Sequence, residues 1–218
     1  MNQKVTFICP IYNTFPEIVS SVIKQTHPYW ELLLIHDGPN STNLRKVVEA
    51  INDIRIQFIE TEERKGLWGH PLRKWALDNI DTLAPDTDYI VVTNDDNHHV
   101  PHYCEYLLKG FNTPSVVASY CSQFVLSYES WQKTTIIENN QRDCKRILWE
   151  VYKYGIFDTR LKLGYIDSGC AMIKKNVAVE SGWGDMHHSS DWTYFKRIID
   201  RYGEHSWKLI RGCLFIHN

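Results

Sequence analysis

Short apolar runs alternate with helical patterns along the first half of the chain, and this alternation constrains the fold more than any other feature. Runs of strand length lie at 5–9, 31–36, 54–60 and 89–93, and apolar residues recur three or four positions apart in the segments between them. The alternation predicts strand–helix–strand units around a mainly parallel sheet. Neither G-x-G-x-x-G nor G-x-x-x-x-G-K-[ST] occurs, so the chain has no dinucleotide fingerprint and no P-loop.

Length and composition are those of an ordinary globular protein. The chain has 218 residues, 43% hydrophobic and 23% charged, with a formal net charge of −2. That balance argues against nucleic-acid binding through a broad basic face. Later runs at 115–121, 123–128 and 165–174 also resemble strands, although the periodicity is looser. Because no linker or repeat divides the chain, we predict one domain with two functional halves, 1–100 and 101–218.

Cysteine usage and the N-terminus bear on the cellular compartment. The six cysteines are scattered without a C-x-x-C pair, and several lie in apolar runs, where a free thiol packs as a small hydrophobe. The first residues lead into a strand without a signal-peptide pattern, and no apolar run reaches membrane-spanning length. These features predict a reducing, cytoplasmic setting. Peripheral attachment to a membrane stays open.

Two adjacent carboxylates, Asp95 and Asp96, follow the buried run at 89–93 and are flanked by asparagines. In open α/β sheets, ligands bind beyond the carboxyl ends of the strands. Paired carboxylates at such a place suit a hard divalent cation that also holds a diphosphate. The competing interpretation is a solvated turn in which Asp or Asn caps the next helix. This stretch alone does not decide between the two.

Four segments together resemble the inverting glycosyltransferases of family 2, which have the GT-A fold. They are Pro10–Asn13 (P-I-Y-N), Gln25–Gly38 (Q-T, then a strand ending in H-D-G), Asn94–Asn97 (N-D-D-N) and Ser190–Trp192 (S-D-W). The first two match the family's P-x-Y-N, Q-T and D-D-G-S landmarks in order and spacing, and the third matches its D-x-D metal motif. The chain departs from the pattern at His36 and Pro39, which replace the first Asp and the Ser of D-D-G-S.

The resemblance implies both a fold and a reaction. The fold is a Rossmann-like GT-A domain, with a mainly parallel central sheet flanked by helices and a small antiparallel element in the acceptor half. The reaction is metal-dependent transfer of a sugar from a nucleotide-sugar donor, preferentially a UDP-sugar, to a hydroxyl of a glycan or glycoconjugate acceptor. The anomeric carbon is inverted, and the cofactor is Mn²⁺ or Mg²⁺. Asp96 is implied to bind the metal and Asp95 the ribose or the donor sugar.

The implied donor site draws on several strand ends and turns. Asp37 can accept a hydrogen bond from uracil N3–H or a ribose hydroxyl, or it can be a turn residue that bonds its own backbone before Gly38. His70 stands near a helix start, which favours phosphate, where the family often has a basic residue. Arg73 either assists His70 or lies on the solvated face of its helix. The nucleotide- and donor-binding set is Pro10, Tyr12, Asn13, Asp37, His70, Arg73 and Asp95.

Asp191 is the candidate general base, because an inverting transfer needs a carboxylate that takes the proton of the acceptor hydroxyl. Its place in the first turn of a helix predicts that the helix dipole keeps it ionised; the alternative is ordinary helix-start chemistry. Asp167 is a candidate for binding acceptor or donor hydroxyls, or for a turn. Trp183 either stacks on a sugar or packs in the core. His217 matches a family histidine that contacts the metal or the diphosphate.

Two other functions stay open on the sequence. Nucleotidyl transfer or nucleotide-sugar hydrolysis would share the fold type and the metal, although no Gly-rich loop with a nearby Lys follows the first strand. A non-catalytic sugar- or nucleotide-binding module would bind without turnover and would be indifferent to the loss of Asp191.

Overall fold

The computed structural model describes residues 3–12, 16–40, 43–125, 156–157, 159–184 and 186–217. The strands are β1 (Val5–Ile11), β2 (Trp30–His36), β3 (Ile56–Glu60), β4 (Tyr89–Val92), β5 (His98–His99), β6 (Ala118–Val125), β7 (Ile156–Phe157), β8 (Ala171–Lys174) and β9 (Trp207–His217). The helices are α1 (Ile18–Val22), α2 (Leu44–Glu49), α3 (His70–Asp78), α4 (Ile80–Leu83), α5 (Tyr103–Leu108), α6 (Lys175–Ser181) and α7 (Ser190–Tyr202).

All of these strands belong to one sheet, in the order β3-β2-β1-β4-β8-β6-β9-β5, and β7 pairs with β6. The block β3-β2-β1-β4 is parallel. Strand β8 runs antiparallel to both β4 and β6, and β5 runs antiparallel to β9. The predicted α/β fold, mainly parallel with an antiparallel element towards the C-terminal half, is confirmed.

The central strands are buried on both faces. Every residue of β1 and β2 is buried, which explains why these strands appear as continuous apolar runs rather than as an alternation. No helix of the described residues is long and apolar enough to cross a membrane. The cytoplasmic setting stays a prediction.

Two expectations for the second half are wrong in detail. The runs at 115–121 and 123–128 form one strand, β6, whose pairing with β9 shifts register between Cys121 and Gln123; residues 126–128 lie outside the described residues. Of the run at 165–174, only β8 is a strand, because Asp167 accepts a hydrogen bond from Gly169 N and opens a 3₁₀ turn over Ser168–Cys170. That turn carries Asp167 to the edge of the sheet.

The parallel register brings the ends of β1, β2 and β4 to one edge. Ile11 pairs with His36 at the ends of β1 and β2, and Thr93 N, just beyond β4, donates to Ile8 O of β1 at 3.0 Å. The segments that follow these three strands therefore start side by side. They contain most of the residues predicted to bind the donor.

A buried contact fixes the turn before β8. The carbonyl oxygen of Gly169 accepts a hydrogen bond from the Tyr103 hydroxyl at 2.8 Å, and His99 Nε2 lies 3.3 Å from the same oxygen. A Cβ on Gly169 would lie 2.3 Å from Phe215 Cε2, so β9 packs directly against this turn. Asp167 thus takes its position from α5 and β9.

We expect Tyr103→Phe to lower the free energy of unfolding by about 1–2 kcal/mol, because the Gly169 carbonyl loses its shorter hydrogen bond while staying buried. Urea unfolding at neutral pH measures the change. Tyr106→Phe is the matched control, since Tyr106 lies on the same helix and is 41% exposed; it should leave stability unchanged. Equal stability of Tyr103→Phe and wild type would contradict the expectation.

Candidate active site

Two adjoining cavities open at the edge where the parallel strands end. Their volumes are about 660 Å³ and about 210 Å³, and both are lined by Trp68, Arg73 and Asn94. The larger cavity is also lined by Pro10, Ile11, Tyr12, Asp37, Arg64, Gly66, Leu67, Gly69, Leu72, Asp95 and Asp96. The smaller cavity is also lined by His70, Asp167, Ser168, Trp183, His188 and Asp191.

The structure thus divides the predicted site residues between two connected spaces. The larger cavity gathers Pro10, Tyr12, Asp37, Arg73, Asp95 and Asp96, and the smaller gathers His70, Arg73, Asp167, Trp183 and Asp191. His217 lies beside Asp167. Asn13 lies outside the described residues. The roles of these residues stay predictions. Their placement agrees with a donor-binding larger cavity and a smaller cavity that contains the candidate base.

Asp37 ties two loops together at the floor of the larger cavity. Its Oδ1 accepts from the backbone N–H of Lys65 at 2.7 Å, and its Oδ2 accepts from that of Gly66 at 2.9 Å. These bonds are not those of a local turn before Gly38, because both donors come from the loop after β3. Each carboxylate oxygen retains a further lone pair. Asp37 can therefore still accept a hydrogen bond from a ligand.

Arg64 lines the larger cavity, although its sequence context does not predict this. Its guanidinium carbon lies 3.9 Å from the centre of the Tyr12 ring, and its Nε lies 3.8 Å from Asp37 Oδ2. In the sequence it stands in a short charged run, which is typical of a solvated loop. Only the pairing of β2 with β3 brings this loop over Tyr12.

Arg73 is a buried cation between the two cavities. Its side chain is only 4% exposed, so the alternative of a solvated helix face is wrong. It donates to Trp68 O at 2.6 Å and to Asn94 Oδ1. Burial lowers the pKa of Arg73, but a guanidinium keeps its charge at neutral pH even so.

His70 does not supply the positive charge that the family pattern suggests. It is buried, and its ring stacks on that of Trp183 with the centroids 5.8 Å apart. Burial, with the nearby charge of Arg73, lowers the pKa of His70 to about 4. The imidazole is therefore neutral at pH 7, and Arg73 is the cation at this end of α3.

Trp183 belongs to the packed wall of the smaller cavity. It is 1% exposed, and its ring packs against His70 and, with centroids 5.1 Å apart, against Tyr194. An indole this deeply buried has no open face for a sugar. Trp183 therefore packs in the core and is not placed to stack on a sugar.

The two strand-end carboxylates face the larger cavity in an open arrangement. The carbonyl of Asp95 accepts a hydrogen bond from Ile18 N at 3.1 Å, which anchors the turn to α1, and the side chain of Asp96 is exposed. Within the described part of the chain, no three His, Cys, Asp or Glu side chains are grouped as metal ligands. One open carboxylate nevertheless fits Mg²⁺ or Mn²⁺ beside a nucleotide, where phosphates and water provide the other ligands.

His217 forms an ion pair with Asp167 through one ring nitrogen, and its other ring nitrogen, Nδ1, has no hydrogen-bond partner among the described residues. Its Nε2 lies 3.4 Å from Asp167 Oδ2. Burial disfavours the charged imidazole, but Asp167, and then Asp96 and Asp191, outweigh it and raise the pKa of His217 to about 9. A metal ligand must be deprotonated. His217 would lose this proton on binding a metal, and its role as a metal ligand stays a prediction.

Asp191 lies in the first turn of α7 and reaches the smaller cavity. Its Oδ1 accepts from the backbone N–H of Trp192 at 2.7 Å. Burial, followed by the charge of Asp167, raises the pKa of Asp191 to about 7. Burial therefore opposes the ionisation that the helix dipole is expected to favour, and the carboxyl is partly ionised near neutral pH. A pKa near the working pH suits a general base.

We expect Asp191→Asn to stabilise the free protein at alkaline pH. The raised pKa means that the folded state holds a proton that the unfolded state has lost, so stability falls as the pH rises from about 4 to about 7. Asparagine removes this loss. The variant should therefore exceed wild type by on the order of 2 kcal/mol at about pH 8, and the difference should shrink towards about pH 4.

Urea unfolding across this pH range, without divalent metal, tests the expectation. Asp200→Asn is the control, since Asp200 is an exposed residue of the same helix that pairs with Lys196. If the free energies of unfolding of Asp191→Asn and wild type change with pH in parallel, burial does not raise the pKa of Asp191.

Comparison with known proteins places these features in a family. The sequence matches the family described as Glycosyl transferase family 2 over residues 6–182. Protein CgeD of Bacillus subtilis (strain 168) is 28% identical over 136 residues, which are 58% of this chain and 30% of that protein. Hyaluronan synthase of Streptococcus pyogenes is 27% identical over 126 residues, which are 54% of this chain and 29% of that protein. The chain thus spans about a third or less of these relatives.

Solved structures with the same fold cover nearly the whole chain. TarS 1-349 from S. aureus superposes with a TM-score of 0.69 at 12% identity, covering 99% of this chain and 60% of TarS 1-349. Glucosyl-3-phosphoglycerate synthase from Mycobacterium tuberculosis superposes with a TM-score of 0.62 at 12% identity, covering 99% of this chain and 72% of that enzyme. The fold is that of the GT-A glycosyltransferases, and the chain belongs to glycosyl transferase family 2.

Proposed function

We propose that this protein transfers a sugar from a UDP-linked donor to a hydroxyl of a glycan or glycoconjugate acceptor, with inversion at the anomeric carbon and with Mn²⁺ or Mg²⁺ as cofactor. One observation carries the proposal. A polar cavity of about 660 Å³ with Asp37, Asp95 and Asp96 adjoins a cavity of about 210 Å³ that contains Asp191, whose pKa is about 7.

The larger cavity has the groups that a uridine diphosphate needs. Asp37 has lone pairs for uracil N3–H or a ribose hydroxyl, and Tyr12 offers a partly exposed ring beside it. Arg73 provides a fixed positive charge near the diphosphate.

Structures of TarS 1-349 have been solved in complex with UDP and with UDP-GlcNAc. A third relative, the WfgD glucosyltransferase of Escherichia coli, is named for a UDP-Glc donor and is 40% identical over 68 residues, 30% of this chain and 26% of that protein. These relatives support UDP as the nucleotide.

Asp96 is the residue that would hold the metal, and Asp95 would orient the ribose or the donor sugar. When bound, the cation neutralises the charge that develops on the departing diphosphate. The glucosyl-3-phosphoglycerate synthase structures contain UDP with Mn²⁺ or Mg²⁺, which supports either ion.

Asp191 would act on the acceptor. The acceptor oxygen forms a bond to the anomeric carbon while the bond to the diphosphate oxygen breaks on the opposite face, and the hydroxyl proton passes to the Asp191 carboxylate. The pKa of about 7 leaves a large part of the carboxyl ionised at neutral pH and still lets it take up a proton. Asp167, paired with His217, raises that pKa by its negative charge.

The donor and the metal can be tested together by thermal stability. We expect UDP and UDP-sugars to stabilise wild type in the presence of Mn²⁺ or Mg²⁺, and Asp96→Asn to lose the metal-dependent part of the shift. Asp86→Asn, an exposed carboxylate of the turn before β4, is the control and should behave as wild type. If no nucleoside diphosphate stabilises wild type in a metal-dependent way, the proposed function fails.

The base can be tested by activity and its pH dependence. Asp191→Asn should lower the transfer rate by about 100-fold or more while UDP binding persists. For wild type, kcat/KM should rise with pH up to about 7 and then level off, because the free enzyme needs Asp191 ionised. Asp200→Asn should keep both the rate and the profile.

These measurements also distinguish sugar transfer from non-catalytic binding. Full transfer activity in Asp191→Asn would remove it as the base. Binding of UDP-sugars without turnover in wild type would instead indicate a non-catalytic module.

A further inference from the structure

Trp68 stands at the boundary between the two cavities. Its side chain is 72% exposed, and it lines both the larger and the smaller cavity. Arg73 and Asn94 also line both, but they are polar and bonded to each other. Trp68 is the aromatic member of this shared wall.

The backbone around Trp68 has an unusual conformation. Four consecutive residues, Gly66 to Gly69, have φ values of 64°, 51°, 53° and 74°. Glycine adopts this left-handed region freely, but residues such as Leu67 and Trp68 rarely do. Strained backbone of this kind concentrates at ligand clamps and active sites and persists only where the surroundings hold it.

The surroundings do hold it, at three points. Gly66 N donates to Asp37 Oδ2 at 2.9 Å, and Trp68 O accepts from Arg73 Nη1 at 2.6 Å. The backbone of Gly69 lies so close to Pro10 that a Cβ would come within 2.5 Å of the Pro10 Cβ. The loop is therefore fixed to the ends of β1 and β2, and it presents the indole from a supported position.

An indole in this place has a specific chemical use. Both cavities are rich in carboxylates, yet a pyranose ring also has an apolar face of C–H groups that packs on a large aromatic surface. If a nucleotide occupies the larger cavity and Asp191 acts in the smaller one, the reacting sugars must meet at their boundary. Trp183, the other candidate for stacking on a sugar, is buried.

We infer that Trp68 packs against the face of a pyranose ring at this boundary and so determines which sugar the site accepts. The inference rests on the proposed function. The ring is either the transferred sugar of the donor or the acceptor sugar, and the experiment has an arm for each.

The donor arm measures dissociation constants of UDP, UDP-glucose and UDP-N-acetylglucosamine with Mn²⁺ by calorimetry, for wild type, Trp68→Ala and Trp68→Phe. If the ring is the transferred sugar, Trp68→Ala weakens the UDP-sugars by about five- to tenfold and leaves UDP within about twofold. Trp68→Phe restores most of the affinity, because it keeps an aromatic face.

The acceptor arm measures KM for free glucose and N-acetylglucosamine offered as acceptors with the better donor. If the ring is the acceptor sugar, Trp68→Ala raises this KM by about five- to tenfold while donor affinity stays unchanged. Trp75→Ala is the matched control, because Trp75 is 37% exposed on α3 and lines neither cavity. It should match wild type in both arms.

Wild-type behaviour of Trp68→Ala in both arms overturns the inference and leaves the proposed function intact. Equal weakening of UDP and the UDP-sugars also overturns it, because Trp68 would then contact the nucleotide. If wild type itself binds neither UDP nor a UDP-sugar with Mn²⁺, the proposed function fails, a result distinct from either of these.

Discussion

The site depends on the hydrogen bonds that the buried guanidinium of Arg73 donates. A buried charge needs partners in its surroundings. Here Nη1 donates to the carbonyl of Trp68 and Nη2 to the side chain of Asn94, whereas Nε has no hydrogen-bond partner among the described residues. Trp68 belongs to the loop Gly66–Gly69, whose residues all have positive φ. Asn94 directly precedes Asp95 and Asp96. By bonding to both, Arg73 fixes the loop relative to the end of β4. It thereby forms the wall that the two cavities share.

The same cation belongs to a charge network that extends into the smaller cavity. Asp167, Asp191 and His217 come from a turn, a helix start and the last strand, and their charges act on one another. The pKa of Asp167 is lowered although burial alone would raise it, because His217 and the Gly169 N–H favour its ionised form. The resulting negative charge at Asp167 then adds to burial in raising the pKa of Asp191. Asp167 thus links the last strand to the candidate base.

The sheet topology explains how these distant residues meet. The parallel block from β3 to β4 brings the turns that contain Asp37, Asp95 and Asp96 to one edge, as is general for open α/β sheets. Strand β8 runs antiparallel to β4 on one side and to β6 on the other. Strand β9 runs parallel to β6, on the side of β6 away from β8. The turn before β8 and the end of β9 consequently lie together, so Asp167 and His217 become neighbours although they are fifty positions apart in the chain.

The sequence by itself determined the parallel strands, the position of Asp95 and Asp96 beyond β4, and the place of Asp191 in the first turn of a helix. These features depend on periodicity and on residues that are close in the chain, so local patterns predict them. Only the tertiary structure decided that Arg73 is buried, that His70 is neutral, that Trp183 is packed while Trp68 is exposed, and that Asp191 has a pKa of about 7. Burial and charge at these positions come from residues far away in the chain, and no local pattern encodes which of them will be neighbours.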